Sequence, residues 1–185
     1  MLFSMLSSIL AAAILSNVLT QGIGLELLTE NQFRVKPVVK NATLIAIASL
    51  VIFVIDYFVY SFVLLPLGLE IFNLLILVVL MIVVNELYRI LVAKLKFDLP
   101  KSDTLMLHSA ILLVGLLGLN SQSFELAFIT TLGSLLGFIG ISILLTMNVS
   151  RMRVSPMLKS FKGLPILLIL LGLIALVLSG LGGIF

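Results

Sequence analysis

The sequence has 185 residues, of which 62% are hydrophobic and only 10% are charged, and its formal net charge is +3. A soluble domain carries roughly 25% charged residues. This chain has too few charged residues to form a water-soluble surface, so we expect one membrane domain over residues 1–185. Cysteine is absent and His108 is the only histidine. This excludes thiolate metal sites and a multi-histidine metal or haem site built by this chain alone.

Six apolar segments have the length, or nearly the length, of a membrane-crossing helix, which is about 20 residues. The apolar residues form unbroken runs and do not alternate with polar residues as they would in barrel strands, which favours an all-α membrane protein over a barrel. Residues 1–19 contain no Lys or Arg, so we interpret the first segment as a retained span and not as a signal peptide. The predicted spans are 2–19, 42–65, 71–91, 105–119, 126–147 and 164–181.

The basic residues fall on one side of this six-span layout, in or beside the first, third and fifth loops. Positive charge near span ends is retained in the cytoplasm. We therefore expect a multi-pass protein of the plasma or inner membrane with both termini extracytoplasmic. Basic residues are not interleaved with aromatic ones, so the charge predicts no nucleic-acid partner. The 11 cations are Arg34, Lys36, Lys40, Arg89, Lys94, Lys96, Lys101, Arg151, Arg153, Lys159 and Lys162.

Each half contains three spans, so the second half enters the membrane from the opposite side to the first. Residues 1–98 and 99–185 are therefore predicted to form two inverted three-helix repeats, as in many transporters. The first span of each half is interrupted by polar residues and glycines: Asn17, Gly22 and Gly24 in one, and Gly115 and Gly118 in the other. Interrupted spans at matching places indicate a midplane site. The alternative is that these glycines only allow close helix packing.

Ionisable and amide side chains inside the predicted spans are candidates for an ion or proton path. Asp56 could serve such a relay, or it could reach the outer interface or be protonated and hydrogen-bonded. Glu86 lies three residues before Arg89, so a local ion pair is expected, with a coupling-ion site as the alternative. Asn17 is expected to hydrogen-bond to a neighbouring helix. His108, near the start of the fourth span, is interpreted as structural, because ligation would need groups from another chain.

No catalytic residue is predicted, since the sequence lacks a Walker loop, a serine nucleophile elbow and an HExxH motif. The glycine-rich end Ser179-Gly180-Leu181-Gly182-Gly183 follows a helix and not a strand, so it does not predict a nucleotide loop.

Several short motifs together carry a resemblance to a known membrane family. They are Phe161-Lys162-Gly163 with Gly172-Leu173-Ile174-Ala175-Leu176, Gly180 and Gly183; Leu64-Leu65-Pro66-Leu67 leading to Ile82-Val83-Val84-Asn85; and Ser16-Asn17-Val18-Leu19 followed by Gly24-Leu25. With these motifs and its six predicted spans, the chain resembles the paired six-helix subunits of the Rnf and sodium-pumping NADH:quinone reductase (Nqr) complexes, of the RnfA/NqrE type. The resemblance implies inverted halves and a heterodimer with a homologous six-helix subunit.

The chain departs from this family at the metal ligands. In the family, each half supplies one cysteine to a [2Fe–2S] cluster shared with the partner subunit. By the resemblance, these two positions fall on Glu26, which follows Gly24-Leu25, and on Ser109, which follows His108. Neither is a thiolate, and iron–sulfur clusters require thiolates, sometimes with histidine. We therefore expect no cofactor on this chain alone, and a flavin or quinone on partner subunits.

Three functions remain open at this point. The first is an Rnf/Nqr-like electron-transfer subunit, with flavin-bearing or NADH-oxidising partners. The second is a transporter or channel for ions or small molecules on the same inverted-repeat scaffold, with Glu26, Asp56 and His108 along its path. The third is a membrane scaffold for a larger complex. The charge pattern fits all three.

Overall fold

The computed structural model describes residues 2–95, 107–119, 123–152 and 159–181, and these residues form helices and short connections without any strand. Four of the helical stretches are long and apolar enough to cross a membrane: Val35–Leu67, Glu70–Lys94, Phe124–Met152 and Leu164–Leu181. The chain is therefore an all-α, membrane-spanning protein. The helices are α1 (Leu2–Leu15), α2 (Glu26–Glu30), α3 (Val35–Val59), α4 (Leu65–Leu67), α5 (Asn73–Leu95), α6 (Ser109–Leu119), α7 (Phe124–Met152) and α8 (Leu164–Leu181).

Helices α3 and α7 form the centre of the bundle. In each of them 44% of the most apolar stretch is buried inside the protein, compared with 17% in the outer helices α5 and α8. Helix α7 packs against α1, α3 and α6, and α3 also packs against α5 and α6. The outer helices leave large apolar side chains exposed, such as Leu75 on α5 and Leu176 on α8. These faces are suited to lipid or to other membrane helices.

Close contact between α1 and α7 depends on two glycines of α7. A Cβ atom at Gly133 would lie 2.5 Å from the carbonyl oxygen of Ile9, and one at Gly137 would overlap the carbonyl oxygen of Ala13. The hydroxyl of Ser134 donates a hydrogen bond to the carbonyl of Ser16. Small residues and hydroxyl bonds of this kind hold membrane helices together where no hydrophobic effect drives them to associate.

The glycines in the two interrupted segments have different structural roles. Helix α1 ends at Leu15, and Gly22 and Gly24, in the connection from α1 to α2, have φ angles of 80° and 89°, a left-handed backbone that favours glycine. Gly115 lies within α6, where a Cβ would be 2.5 Å from the side chain of Leu77 on α5. The break in the first segment is thus confirmed, whereas Gly115 serves close packing.

Several helix bounds differ from the sequence prediction. Helix α1 ends at Leu15 and not at residue 19. Helix α3 begins at Val35, so Lys36 and Lys40, which we assigned to a loop, lie in its first turns. Pro37 is compatible with this start because a first-turn proline needs no intrahelical N–H bond. Residues 96–106, 120–122 and 153–158, with Lys96, Lys101 and Arg153, lie outside the described residues.

Candidate functional site

The chain turns sharply after α1, and Asn17 stabilises this turn. Its Oδ1 accepts a hydrogen bond from the N–H of Leu19 at 2.9 Å, and its Nδ2 donates to the carbonyl of Ala13 at 3.2 Å. The side chain is fully buried. Our prediction that Asn17 bonds to a neighbouring helix is therefore wrong. The end of a helix leaves backbone groups without partners, and this amide satisfies them locally.

Gly24 brings this turn against the start of α6. Its N–H donates a hydrogen bond to the hydroxyl of Ser109 at 3.1 Å. A Cβ at Gly24 would lie 3.0 Å from the ring of Phe138 and 3.4 Å from Ala110. Both the left-handed backbone and the close approach favour glycine at this position.

Glu26 caps the N-terminus of α6 from a distant part of the chain. Its Oε1 accepts one hydrogen bond from the N–H of Ser109 at 3.0 Å and another from the hydroxyl of the same residue. The first N–H groups of a helix lack intrahelical partners, and the helix dipole favours a negative charge beside them. Hydrogen-bond donors thus fix the Oε1 atom of Glu26, while its side chain remains 39% exposed.

His108 lies behind this carboxylate and is 3% exposed. Its Nδ1 is 3.5 Å from Oε1 of Glu26 and 3.4 Å from the N–H of Ala110. The neutral ring can accept from Ala110 at Nδ1, or a protonated Nδ1 can donate to Glu26, but not both at once. In either case Nε2 has no partner among the described residues. The ring meets Phe138 edge-on, with centroids 6.3 Å apart.

A cavity of about 330 Å³ opens beside Glu26. One end is polar, with the Glu26 carboxylate and Ser109, and the walls are mainly apolar side chains of α5 and α6. A concave apolar site with a few convergent polar groups is the usual form of a ligand or partner pocket. The lining residues are Gly22, Ile23, Gly24, Glu26, Leu74, Ser109, Leu112, Leu113 and Leu116.

Asp56 is fully buried in α3 and faces Asn73 at the start of α5. No part of the side chain is accessible, so Asp56 is enclosed by the protein. A relay, a position at the outer interface and a protonated, hydrogen-bonded carboxyl all stay predictions for this residue. The Nδ2 of Asn73 donates to Oδ2 of Asp56 at 3.5 Å. Asn73 was not among the predicted site residues, although an amide in the apolar run Ile71-Phe72-Asn73-Leu74 was a usable signal.

The predicted ion pair between Glu86 and Arg89 is confirmed, with 2.7 Å between the Oε2 of Glu86 and the guanidinium of Arg89. Both side chains are about half exposed on α5. Glu86 therefore belongs to a surface ion pair, in which Arg89 on the same helix balances its charge.

The two positions that the resemblance assigns to cluster cysteines are in direct contact through the Glu26–Ser109 hydrogen bonds. Their donor set is a carboxylate and a hydroxyl, with one imidazole nearby, and the chain has no cysteine. Such a set does not fit a [2Fe–2S] cluster, which needs thiolates. Within the described ranges, no three His, Cys, Asp or Glu residues are grouped so that they could hold a metal ion.

No protein-family model matches the chain, and no curated protein matches its sequence.

Proposed function

We propose that this chain is a membrane subunit of an Rnf/Nqr-like electron-transfer complex, without a [2Fe–2S] cluster of its own, that pairs with a homologous six-helix subunit. The observation that carries this proposal is the contact between Glu26 and Ser109. These residues are separated by 83 positions in the sequence, and they are the two positions at which the family resemblance expects metal ligands.

The packing of the helices supports an inverted repeat with six spans, and the position of the basic residues supports both termini extracytoplasmic. Helix α1 packs on α7 and α8, whereas α6 packs on α3 and α5. If the two halves are exchanged, α1 corresponds to α6, α3 to α7 and α5 to α8, and these contacts are interchanged, whereas the contact between α6 and α7 has no counterpart of similar size between α1 and α3. Inverted repeats related by a pseudo-twofold axis give this pattern, with their site where the interrupted spans meet.

The cavity beside Glu26 supports the pairing. A partly exposed carboxylate would be costly if it faced lipid, so a partner subunit that covers it with donors would stabilise the complex. The apolar walls formed by Leu112 and Leu116 would meet an apolar helix of that partner. Electrons would then pass through a flavin or quinone carried by partner subunits, including one that oxidises NADH.

The test is purification of the chain, with a tag, from the membranes that naturally contain it. We expect a second six-helix subunit that resembles this one, and a flavin or quinone signal that NADH reduces. Glu26→Gln should reduce recovery of that subunit about tenfold, equivalent to roughly 1.4 kcal/mol. Glu125→Gln, an exposed carboxylate on α7, serves as the control. A chain recovered alone, with no redox-active partner in any extract, would contradict the proposal.

An ion transporter on the same scaffold is a second candidate, and the complete burial of Asp56 in a membrane span favours it. Glu26, Asp56 and His108 would then line the path. Flux of sodium ions or protons into liposomes that contain this chain alone, abolished by Asp56→Asn, would select this function. Undiminished flux in that variant would remove Asp56 from the path.

A further inference from the structure

Asp56 and Asn73 form a buried pair whose polar atoms are incompletely satisfied. Asp56 is 0% exposed and Asn73 is 4% exposed. The hydrogen bond between them runs from Nδ2 of Asn73 to Oδ2 of Asp56 at 3.5 Å, which is at the long limit for a hydrogen bond. The Oδ1 atoms of both residues are buried and have no partner among the described residues. Each such atom costs about 1–3 kcal/mol if it stays unsatisfied.

Both orphaned atoms are hydrogen-bond acceptors, and they belong to two groups that the 3.5 Å contact holds side by side. An ionised carboxylate without a counter-charge is strongly unfavourable in a protein interior. A positive charge between the two residues would satisfy both oxygens. A proton on Asp56 or a small alkali metal ion would each do so, because hard cations bind carboxylate and amide oxygens.

The described surroundings of Asp56 supply no basic side chain. At this end of α3, Tyr57 packs on Phe124 of α7, with ring centroids 5.1 Å apart. The charged residue next to Phe124 is Glu125, and the one preceding Asn73 is Glu70; both are acidic and exposed. Helix α6, which also packs on α3, has no charged residue. The basic residues of α5, Arg89 and Lys94, follow Asn73 by four or more turns, over 20 Å at about 1.5 Å per residue.

The backbone beside Asp56 is also irregular. The N–H of Tyr60 bonds to the carbonyls of Asp56 and Tyr57, and residues Tyr60–Leu64 then form a π-helical segment. Single π-helical turns inside α-helices occur frequently at functional sites. Here the wider turn begins one helical turn after the buried carboxylate.

We propose that Asp56 and Asn73 together bind one monovalent cation, either a proton or a sodium-sized alkali metal ion. The site is separate from the Glu26–Ser109 contact, and it stands whether or not the chain belongs to an electron-transfer complex.

The test uses the purified full chain in detergent micelles or nanodiscs and follows thermal unfolding and infrared carboxyl bands. In one arm, NaCl replaces choline chloride at constant ionic strength and pH. In the other, pH is varied without sodium. At a cation concentration 100 times Kd, the ratio of folded to unfolded protein should rise about 100-fold. A saturable response to sodium identifies an alkali metal site, and a response to pH alone identifies a proton site.

Matched variants assign the response to this pair. Asp56→Asn, which keeps the size of the side chain, should abolish it, and Glu70→Gln, an exposed carboxylate at the same end, should retain it. If Asp56→Asn does not fold, Asn73→Ala should weaken the apparent affinity while the Asp56 carboxyl band remains. The site is contradicted if wild-type protein shows no saturable response in either arm, or if Asp56→Asn or Asn73→Ala responds like wild type.

Discussion

The two carboxylates at Glu26 and Asp56 differ in how well their oxygens are satisfied. Glu26 receives the N–H and the hydroxyl of Ser109 and has His108 beside it, and it remains partly exposed. Asp56 is fully buried with one long bond from Asn73. The first site has the donors that a carboxylate needs, whereas the second lacks them. A satisfied carboxylate holds structure together, whereas the unsatisfied one at Asp56 is the basis of the proposed cation site.

The largest expected effect on stability is at Gly24, and it tests whether the Glu26 site depends on close packing. We expect Gly24→Ala to lower the free energy of unfolding by about 2–3 kcal/mol, from its left-handed backbone and its contact with Phe138. The control Gly22→Ala has a similar φ angle but open space around the Cβ, so it should cost only about 1 kcal/mol. Equilibrium unfolding in mixed micelles, followed by circular dichroism, measures both. Equal losses would mean that Phe138 does not restrict this position.

Removal of the Glu26 carboxylate comes next. Glu26→Ala takes away the cap of α6 and leaves the N–H of Ser109 without its partner, so stability should fall by about 2 kcal/mol. The same unfolding assay applies, with Glu125→Ala as the exposed control. A loss no larger than that of the control would show that Glu26 does not cap α6.

Ser109→Ala and Glu26→Gln together measure the coupling between the two halves of the chain. Because the two side chains share hydrogen bonds, the double variant should deviate from additivity by about 0.5–1.5 kcal/mol. The same cycle between Glu26→Gln and Ser150→Ala, on α7, should be additive within about 0.5 kcal/mol. Additivity in both cycles would contradict a direct contact.

The smallest expected effect is at Asp56, where we expect substitution to cause no loss of stability. Asp56→Asn removes a carboxylate that has one weak donor, so without added sodium and at alkaline pH the variant should be at least as stable as wild type. Unfolding midpoints of the two proteins in choline buffer provide the comparison. A loss comparable to that of Glu26→Ala would show that Asp56 is satisfied by groups other than a cation.

Four of the six predicted spans correspond to helices that are long and apolar enough to cross a membrane in the described part of the chain, because length and composition determine membrane spans. The last helix, 164–181, has the predicted bounds, and the helices around 71–91 and 126–147 differ by a few residues at each end. The start of α3 was misassigned because Arg34, Lys36 and Lys40 were interpreted as a loop. Polar side chains in the first turns of a long helix are compatible with its continuing into an interface.

The two sites were predictable to different extents. Glu26 and Ser109 were selected as a pair through the family resemblance, and they do lie in contact. The pairing of Asp56 with Asn73 depends on how α3 and α5 pack, which no local pattern specifies. Asn17 was misassigned for the opposite reason: its partners are in its own turn, and an amide in an apolar segment does not reveal whether its bonds are local or between helices.

The most direct test of the contact between the two halves exploits the absence of cysteine in this chain. Glu26→Cys combined with Ser109→Cys should be bridged by dibromobimane in intact membranes, and the bridged product fluoresces. Glu26→Cys with Glu86→Cys is the control, because Glu86 lies about 18 Å further along α5 than Leu74, which lines the same cavity as Glu26. Bridging of the first pair alone is the predicted result. No bridging of the first pair, with both thiols reactive towards single-site reagents, would contradict the meeting of the two halves at Glu26 and Ser109.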